Sequence, residues 1–406
     1  MTGRGAQATP DGMVESIYEQ MNLITPSEPL SLRSLIGVLV IGLCLWSYRW
    51  FRRPVAPAVS RDSKSPVITP LNNFDWKSTE PLQFRPFQGK EKYNLTMAIE
   101  NLDPSDLITI DKTYKDRLAL RKQLLEQHHD IVVAVNNTLT ADTRIHSAVC
   151  ELYTFVLGKY LPSRYPGIFK LHPSTDKSSE IFENTVTGAS WPTTLHTETP
   201  TIRALEILAQ TVDEEFLILL PDISSPDQPK YILQAYATCF PSGFNTREKL
   251  GLRLADIHTP VPGYADKLER SMDRFFAKVE VGRFVKRVNW SVTTETELFA
   301  AFGSVHGSHV AEDKPEGERA LRLEELNIDQ TVLRCERQTL HRLPDSKAVV
   351  FAFHTYTYPI RQIRDEGLGE DLAVAIDGLK KGNVPAMHAY KRGDYWGEAV
   401  KEFLRS

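Results

Sequence analysis

An uncharged apolar run near the N-terminus, at residues 35–48, constrains the fold more than any other part of the sequence. With its flank to Phe51 it approaches the roughly 20 apolar residues that a membrane-spanning helix needs. Trp46 and Trp50 supply aromatic rings at one end of the run, and such rings favour the membrane interface. We therefore predict a transmembrane helix at residues 35–51, preceded by an N-terminal tail at residues 1–34.

A signal peptide and a buried core helix are the alternatives to this anchor. A signal peptide starts with a short basic region, whereas the segment before this run is long and carries more acidic than basic residues. A core helix is disfavoured because the run stands alone and is followed by Arg49, Arg52 and Arg53. By the positive-inside rule, these arginines predict a cytosolic C-terminal part. We expect a single-pass protein of the endoplasmic reticulum membrane.

The remaining sequence predicts a linker followed by one large domain. Residues 52–86 are rich in proline, serine and threonine, which is typical of a linker, and we predict the domain at residues 87–406. Apolar spacing predicts helices at 112–129, 143–160, 263–279, 368–380 and 395–404, with Pro162 ending the second. Strands are predicted at 216–220, 231–240, 284–292, 331–335 and 348–358. Helices first and mostly antiparallel strands afterwards indicate the α+β class.

Charge, cysteines and missing motifs exclude several function classes. The net charge of −4 is unlike that of nucleic-acid-binding domains, which are normally basic, so no nucleic-acid partner is expected. The four cysteines form no C-x-x-C pair and favour free thiols over a zinc ribbon or a disulfide framework. No dinucleotide, Walker, zinc-protease or nucleophile-elbow motif occurs. The absence of any Asp-x-Asp pair weighs against a membrane-bound glycosyltransferase, an interpretation that rests on the anchor alone.

His258 is the strongest single candidate for a cofactor contact. It lies in the stretch I-H-T-P-V-P-G at residues 257–263, where Pro260 and Pro262 restrict the backbone. An imidazole presented from a stiff segment suits an axial ligand of haem iron. The alternative is a histidine that hydrogen-bonds loop backbone.

Two polar stretches on predicted strands supply further candidates. Arg337 lies among Glu336 and Gln338, and its guanidinium could clamp a carboxylate, although an internal Arg–Glu network is an equal alternative. Asn289 and Trp290 combine an amide with a flat ring and could line a substrate pocket; the alternative for Trp290 is a core position. In the polar stretch 305–317, His306 and His309 form a weak candidate metal site.

Taken together, several stretches resemble the haem-dependent oxidative N-demethylase alpha-subunit-like family. The resemblance is carried by residues 102–106, 114–118, 164–166, 257–263, 287–291 and 336–344, and it spans about residues 95–365. The E-R-Q-T-L and H-x-P-V-P patterns, occurring in this order, are its most specific parts.

The resemblance implies a PAS-like antiparallel sheet with helical additions around a b-type haem. It implies O2-dependent oxidation of a small amine, with electrons from NADPH through a flavin. We expect a separate flavin reductase, because nothing in this chain resembles a flavin or NADPH module. His258 is the expected haem ligand, and Arg337 and Arg287 are expected to contact a propionate or the substrate. A non-catalytic haem- or ligand-binding sensor at a membrane is the alternative function.

Overall fold

The computed structural model describes residues 66–136, 143–175, 179–224, 230–302 and 319–406. The predicted tail at residues 1–34 and the predicted transmembrane helix at 35–51 lie outside these ranges. Both therefore stay predictions. Among the described residues, no helix combines the length and the apolar composition that crossing a bilayer requires.

The described strands form two antiparallel sheets. The strands are β1 Glu100–Asn101, β2 Val133–Val135, β3 Phe169–Pro173, β4 Glu180–Asn184, β5 Ala189–Pro192, β6 Glu215–Pro221, β7 Tyr231–Ala237, β8 Phe284–Thr293, β9 Val332–Arg342 and β10 Val349–Pro359. The large sheet has the order β1-β8-β9-β10-β6-β7-β2, and the small sheet has the order β3-β4-β5. Strands β8, β9 and β10 pair along almost their full length and form the centre of the large sheet.

Helices precede, interrupt and follow these strands. They are α1 Tyr114–Gln127, α2 His129–Val132, α3 Thr143–Phe155, α4 Leu161–Arg164, α5 Thr201–Thr211, α6 Leu254–Ile257, α7 Tyr264–Lys267, α8 Glu269–Lys278, α9 Ile360–Asp365, α10 Gly369–Lys381, α11 Met387–Tyr390 and α12 Gly393–Arg405. The α+β class predicted from the sequence is confirmed, whereas the likeness to a PAS domain stays a prediction.

The two faces of the large sheet pack against different helices. One face packs against α1, α3 and α5 through a core that includes Leu152, Leu208 and Ile218. The same face, nearer the start of β9 and the end of β10, packs against α10 and α12 through a core that includes Leu333 and Tyr356. The opposite face is covered by α6, α7 and α8. We call this opposite face the cavity face, because it borders the site described below.

Strand β9 explains why a stretch rich in charges can be buried. Successive side chains on a strand point to opposite faces, so Glu336 and Gln338 share one face and Arg337 and Thr339 share the other. The register confirms this prediction, because Glu336 pairs with Asn289 and Arg337 pairs with Val288 on β8. Each charged side chain is then held by partners specific to its own face.

A buried ion network lies where α1 meets the start of β6. Arg121 of α1 is fully buried and donates to the backbone oxygens of Ala209 and Glu214, both at 2.8 Å. Its guanidinium also pairs with the buried carboxylate of Glu215. Arg117, one turn earlier, pairs with Asp213 at 2.7 Å. These pairs join α1 to the start of β6.

The structure corrects two predicted boundaries. Pro162 does not end the second helix, because a π-helical turn at Val156–Tyr160 leads into α4, whose first turn has no need of the proline N–H. Residues 66–86, predicted as linker, instead pack on the domain. Leu71, Phe74 and Trp76 contact its core, and the N–H of Phe84 donates to the hydroxyl of Tyr358 at 3.0 Å.

Candidate functional site

A large cavity lies between the cavity face of the sheet and the segment that contains α6, α7 and α8. Its volume is about 960 Å³. This is near the upper end of the roughly 300–1,000 Å³ of small-molecule sites. The cavity is therefore large enough for a bulky cofactor or ligand.

Most of the cavity wall is apolar, and the sheet and the covering helices both contribute to it. The sheet contributes Leu217, Leu219, Val285, Leu340, Phe351 and Phe353, and the covering segment contributes Leu254, Leu268, Met272, Phe275 and Phe276. In sites of this kind, the apolar walls bind the hydrophobic part of a ligand, and a few fixed polar groups determine its orientation. The polar groups are described next.

The polar end of the cavity is built on β8 and β9. The amides of Asn289 and Gln338 donate to the same carboxylate oxygen of Glu336, Oε2, at 3.4 and 2.9 Å. The ammonium of Lys391 donates to Asn289 Oδ1 at 3.2 Å and to the backbone oxygen of Trp290. The chain Lys391–Asn289–Glu336–Gln338 therefore holds the carboxylate of Glu336 in one orientation at the cavity wall.

Strand pairing explains why Lys391 reaches this point. Strand β1 pairs with β8 only at Lys286 and Val285, so the rest of β8 has no strand neighbour on that side among the described residues. The oxygen of Trp290 lies on this unpaired edge and receives the ammonium of Lys391 instead. Burial lowers the pKa of Lys391 to about 8; nearby Glu336 opposes the shift and Arg287 adds to it.

Arg287 is a cation of the cavity without a hydrogen-bond partner. It lines the cavity, its Nε is buried and unpaired, and no described residue accepts from its guanidinium. Burial lowers its pKa from the usual value for arginine. A buried donor without a partner is costly, so a ligand that brings an anionic group to the half-buried Arg287 would be stabilised there.

His258 is held as a neutral imidazole at the cavity wall. It follows α6 directly, and its Nδ1 lies 2.7 Å from the backbone oxygen of Leu254. A carbonyl oxygen can only accept, so Nδ1 carries the proton and Nε2 carries a lone pair. The ring also stacks on Tyr264, with 4.5 Å between ring centroids and an angle of 8°.

Electrostatics keep His258 neutral. Burial lowers its pKa to about 4, and the charges of Lys249 and Arg287 add to this shift. At neutral pH the ring is uncharged, and no described residue donates to Nε2. This is the protonation state that a metal ligand needs, and a backbone hydrogen bond to the other nitrogen is the usual way in which proteins orient such a ligand.

Gly263 allows the turn after His258, which gives a test of the loop geometry. Its φ of +72° lies in the left-handed region, and a Cβ added there would lie 2.7 Å from Cγ2 of Val384. We expect Gly263→Ala to lower the free energy of unfolding by about 1–2 kcal/mol for the left-handed backbone alone. Urea unfolding followed by circular dichroism measures this. Gly167→Ala is the control, because no atom lies within 4 Å of its added Cβ; equal effects of the two substitutions would contradict the geometry.

Two predicted site residues do not reach the cavity. Arg337 lies on the opposite face of β9, where its guanidinium donates to the backbone oxygens of Leu107 and Asp106. Trp290 follows Asn289 on β8 and therefore points to the opposite face, where it packs against Phe87 in the core. Arg337 is thus tied to the backbone, and Trp290 has the core position that was its alternative.

The other predicted site residues either line the cavity, hold neighbouring backbone segments, or lie outside the described residues. His258, Arg287 and Asn289 line the same cavity, and their roles toward a cofactor or a substrate stay predictions. The other arginines of β9 are structural, because Arg334 and Arg342 donate to backbone oxygens of neighbouring segments. His306 and His309 lie outside the described residues. In the described ranges, no three or more His, Cys, Asp and Glu side chains gather into a metal-binding group.

Sequence reasoning missed Lys391, and it did not assign Glu336 to the site. Lys391 lies about a hundred positions after Asn289, in a segment without a motif, so no local pattern connects it with β8. Glu336 belongs to the polar stretch already singled out. Its place on the same face as Gln338 was the available signal, but the sequence did not indicate which face borders the cavity.

The donor set fits haem. A neutral imidazole with a free Nε2, an unpaired guanidinium and extended apolar walls match the iron, the propionate carboxylates and the hydrocarbon ring of that group. The fold and the site define an α+β domain with a large, mostly apolar cavity whose wall carries a neutral imidazole and an arginine. The chain belongs to the haem-dependent oxidative N-demethylase, alpha subunit-like family, whose family model matches residues 98–401.

Proposed function

We propose that this protein is a haem-binding oxidoreductase that uses O2 to oxidise a small amine, with removal of an N-methyl group. The observation that carries the proposal is His258. Its imidazole is neutral, oriented through Nδ1, and has a free Nε2 at the wall of a cavity of about 960 Å³. Family membership supports the same cofactor, since the family is described as haem-dependent.

One group of residues in this chain would hold the cofactor, and another would face the substrate. His258 would ligate the iron through Nε2, and Arg287 would pair with a propionate. Haem bound there would supply the oxidation chemistry with O2. The apolar walls would exclude water, which strengthens every electrostatic contact inside the cavity. The Asn289–Glu336–Gln338 group would face the substrate end of the cavity.

The partners and the location are part of the proposal. We infer a b-type haem, because His258 would be its protein ligand and the sequence has no C-x-x-C-H motif for covalent attachment. Electrons would come from NADPH through a separate flavin reductase. The apolar run at residues 35–51 would tether the domain to the endoplasmic reticulum membrane on its cytosolic side.

Arg287 gives a direct test of the proposed propionate contact. We expect Arg287→Met to weaken haem binding by about 10–100-fold, the worth of a hydrogen bond to a charged group. The free energy of unfolding without ligand should not fall, because the substitution removes a half-buried cation whose Nε is buried without a partner. Haem titration followed at the Soret band and urea unfolding measure the two effects.

Two controls sharpen this experiment. Lys278→Met removes an exposed charge at the end of α8, outside the residues that line the cavity, and it should leave haem affinity unchanged. Haem dimethyl ester has no free propionate, so Arg287→Met should not weaken its binding. If the substitution weakened haem and the ester equally, Arg287 would have no specific role toward the carboxylate.

Turnover of the full-length protein tests the activity itself. With haem, NADPH and a microsomal flavin reductase, we expect O2 uptake that depends on a methylated amine and releases formaldehyde. Haem binding without amine-dependent O2 uptake across a panel of secondary and tertiary methylamines would favour the sensor alternative.

A further inference from the structure

We propose that Glu336 binds the ammonium group of the substrate, and that the positive charge of Lys391 opposes this binding by electrostatic repulsion. The inference rests on the proposed function for the substrate class. Its own basis is the arrangement of a single carboxylate in the polar end of the cavity.

The two oxygens of the Glu336 carboxylate have different surroundings. Oε2 accepts from Gln338 Nε2 at 2.9 Å and from Asn289 Nδ2 at 3.4 Å. No described residue donates to Oε1, although the side chain is buried and lines the cavity. Two amides thus fix the carboxylate and leave one oxygen able to accept from a ligand, and an acceptor at a buried site gains most from a charged donor.

Lys391 determines how strongly Glu336 attracts a cation. Its ammonium is bound to Asn289 Oδ1 and to the oxygen of Trp290, so the amide of Asn289 lies between the two charges. The other ionisable groups near Lys391 in the described structure are Arg287, the thiol of Cys335 and Tyr93, whose ring centroid lies 5.9 Å from the ammonium. With Arg287 paired to an anionic group, the remaining positive charge that opposes a substrate ammonium at Glu336 is that of Lys391.

This arrangement gives amine binding a characteristic pH dependence. The pKa of Lys391 is lowered to about 8, mainly by burial, so the residue loses its charge as the pH rises through that value. A dialkylammonium ion has a pKa near the ordinary alkylamine value of about 10.4 and stays charged over the same interval. Binding of the ammonium should therefore tighten as the pH rises from 6.5 to 9, by roughly tenfold if one nearby charge is removed.

Calorimetric titration of the haem-loaded protein with dimethylammonium chloride tests the proposal without requiring turnover. We expect Glu336→Gln to weaken dimethylammonium binding by about 10–100-fold while haem affinity and its spectrum stay unchanged. Glu248→Gln is the matched control, because Glu248 lines the cavity at an exposed position, and it should have no effect. Isopropanol, a neutral molecule of similar size, should bind equally to the wild type and to Glu336→Gln.

A second variant covers the possibility that Glu336→Gln does not fold. Lys391→Met removes the opposing positive charge, and we expect tighter dimethylammonium binding at pH 6.5. The rise in dimethylammonium affinity between pH 6.5 and 9 should then be lost. Equal affinity of wild type and Glu336→Gln, or a wild-type pH profile retained in Lys391→Met, would overturn the proposal. Failure of the wild type to bind haem would instead contradict the proposed function, so the two failures are distinguishable.

Discussion

Replacement of His258 by alanine is expected to abolish stable haem binding. The imidazole is the only proposed bond from the protein to the iron, so the loss should exceed the ~10–100-fold that follows removal of a mere outer-shell partner of a metal ligand. The neutral ring contributes no ion pair to the fold, and its substitution should leave the folded domain intact. Haem titration at the Soret band, with circular dichroism of the same samples, measures both effects.

Two further measurements separate iron ligation from a general effect on the cavity. Added imidazole should restore a histidine-like spectrum to the His258→Ala protein, because the space left by the ring opens onto the cavity. His172→Ala is the control: this histidine pairs with Glu183 at 2.6 Å on the small sheet and is 52% exposed, so haem binding should be unaffected. Full haem occupancy with an unchanged spectrum in His258→Ala would contradict the assignment of His258 as the iron ligand.

Replacement of Arg121 by alanine is expected to lower the free energy of unfolding far more than the loss of an exposed ion pair. Arg121 is fully buried, donates to two backbone oxygens and pairs with Glu215. Its removal leaves the buried carboxylate of Glu215 without its cation, held only by the backbone N–H groups of Cys239 and Phe240. Breaking a buried pair from one side costs about 3–5 kcal/mol. Equilibrium unfolding in urea should show this loss, or the variant should fail to fold at all.

An exposed ion pair supplies the matched comparison. Arg405 pairs with Glu370 at 2.7 Å, but both side chains are substantially exposed. Its replacement by alanine should cost no more than about 1 kcal/mol, because solvent screens the pair. Equal losses for Arg121→Ala and Arg405→Ala would mean that the buried network has no special weight in stability.

Strand periodicity was the most informative property of the sequence, and its incomplete use explains the errors. Alternation on β9 predicted that Glu336 and Gln338 share one face, as they do. The same rule separates Asn289 from Trp290, yet both were predicted to line one pocket. Adjacent residues on a strand point to opposite faces, so only one of them could reach the cavity.

Other features depend on tertiary contacts that no local pattern encodes. The sequence did not indicate which face of β9 would border the cavity, because both faces are buried and both carry charged residues. Lys391 reaches β8 because β1 begins only at Glu100, so that no described strand pairs with the oxygen of Trp290. His258 could be singled out because its stiff, proline-rich surroundings are a local property.

The absorption spectrum of the purified full-length protein, expressed with a supply of haem, tests the central claim most directly. We predict a Soret band that shifts on reduction and again on addition of carbon monoxide, and that is lost in His258→Ala. A folded protein without absorption in the visible region, which also fails to take up added haemin, would contradict the claim that this cavity is a haem site.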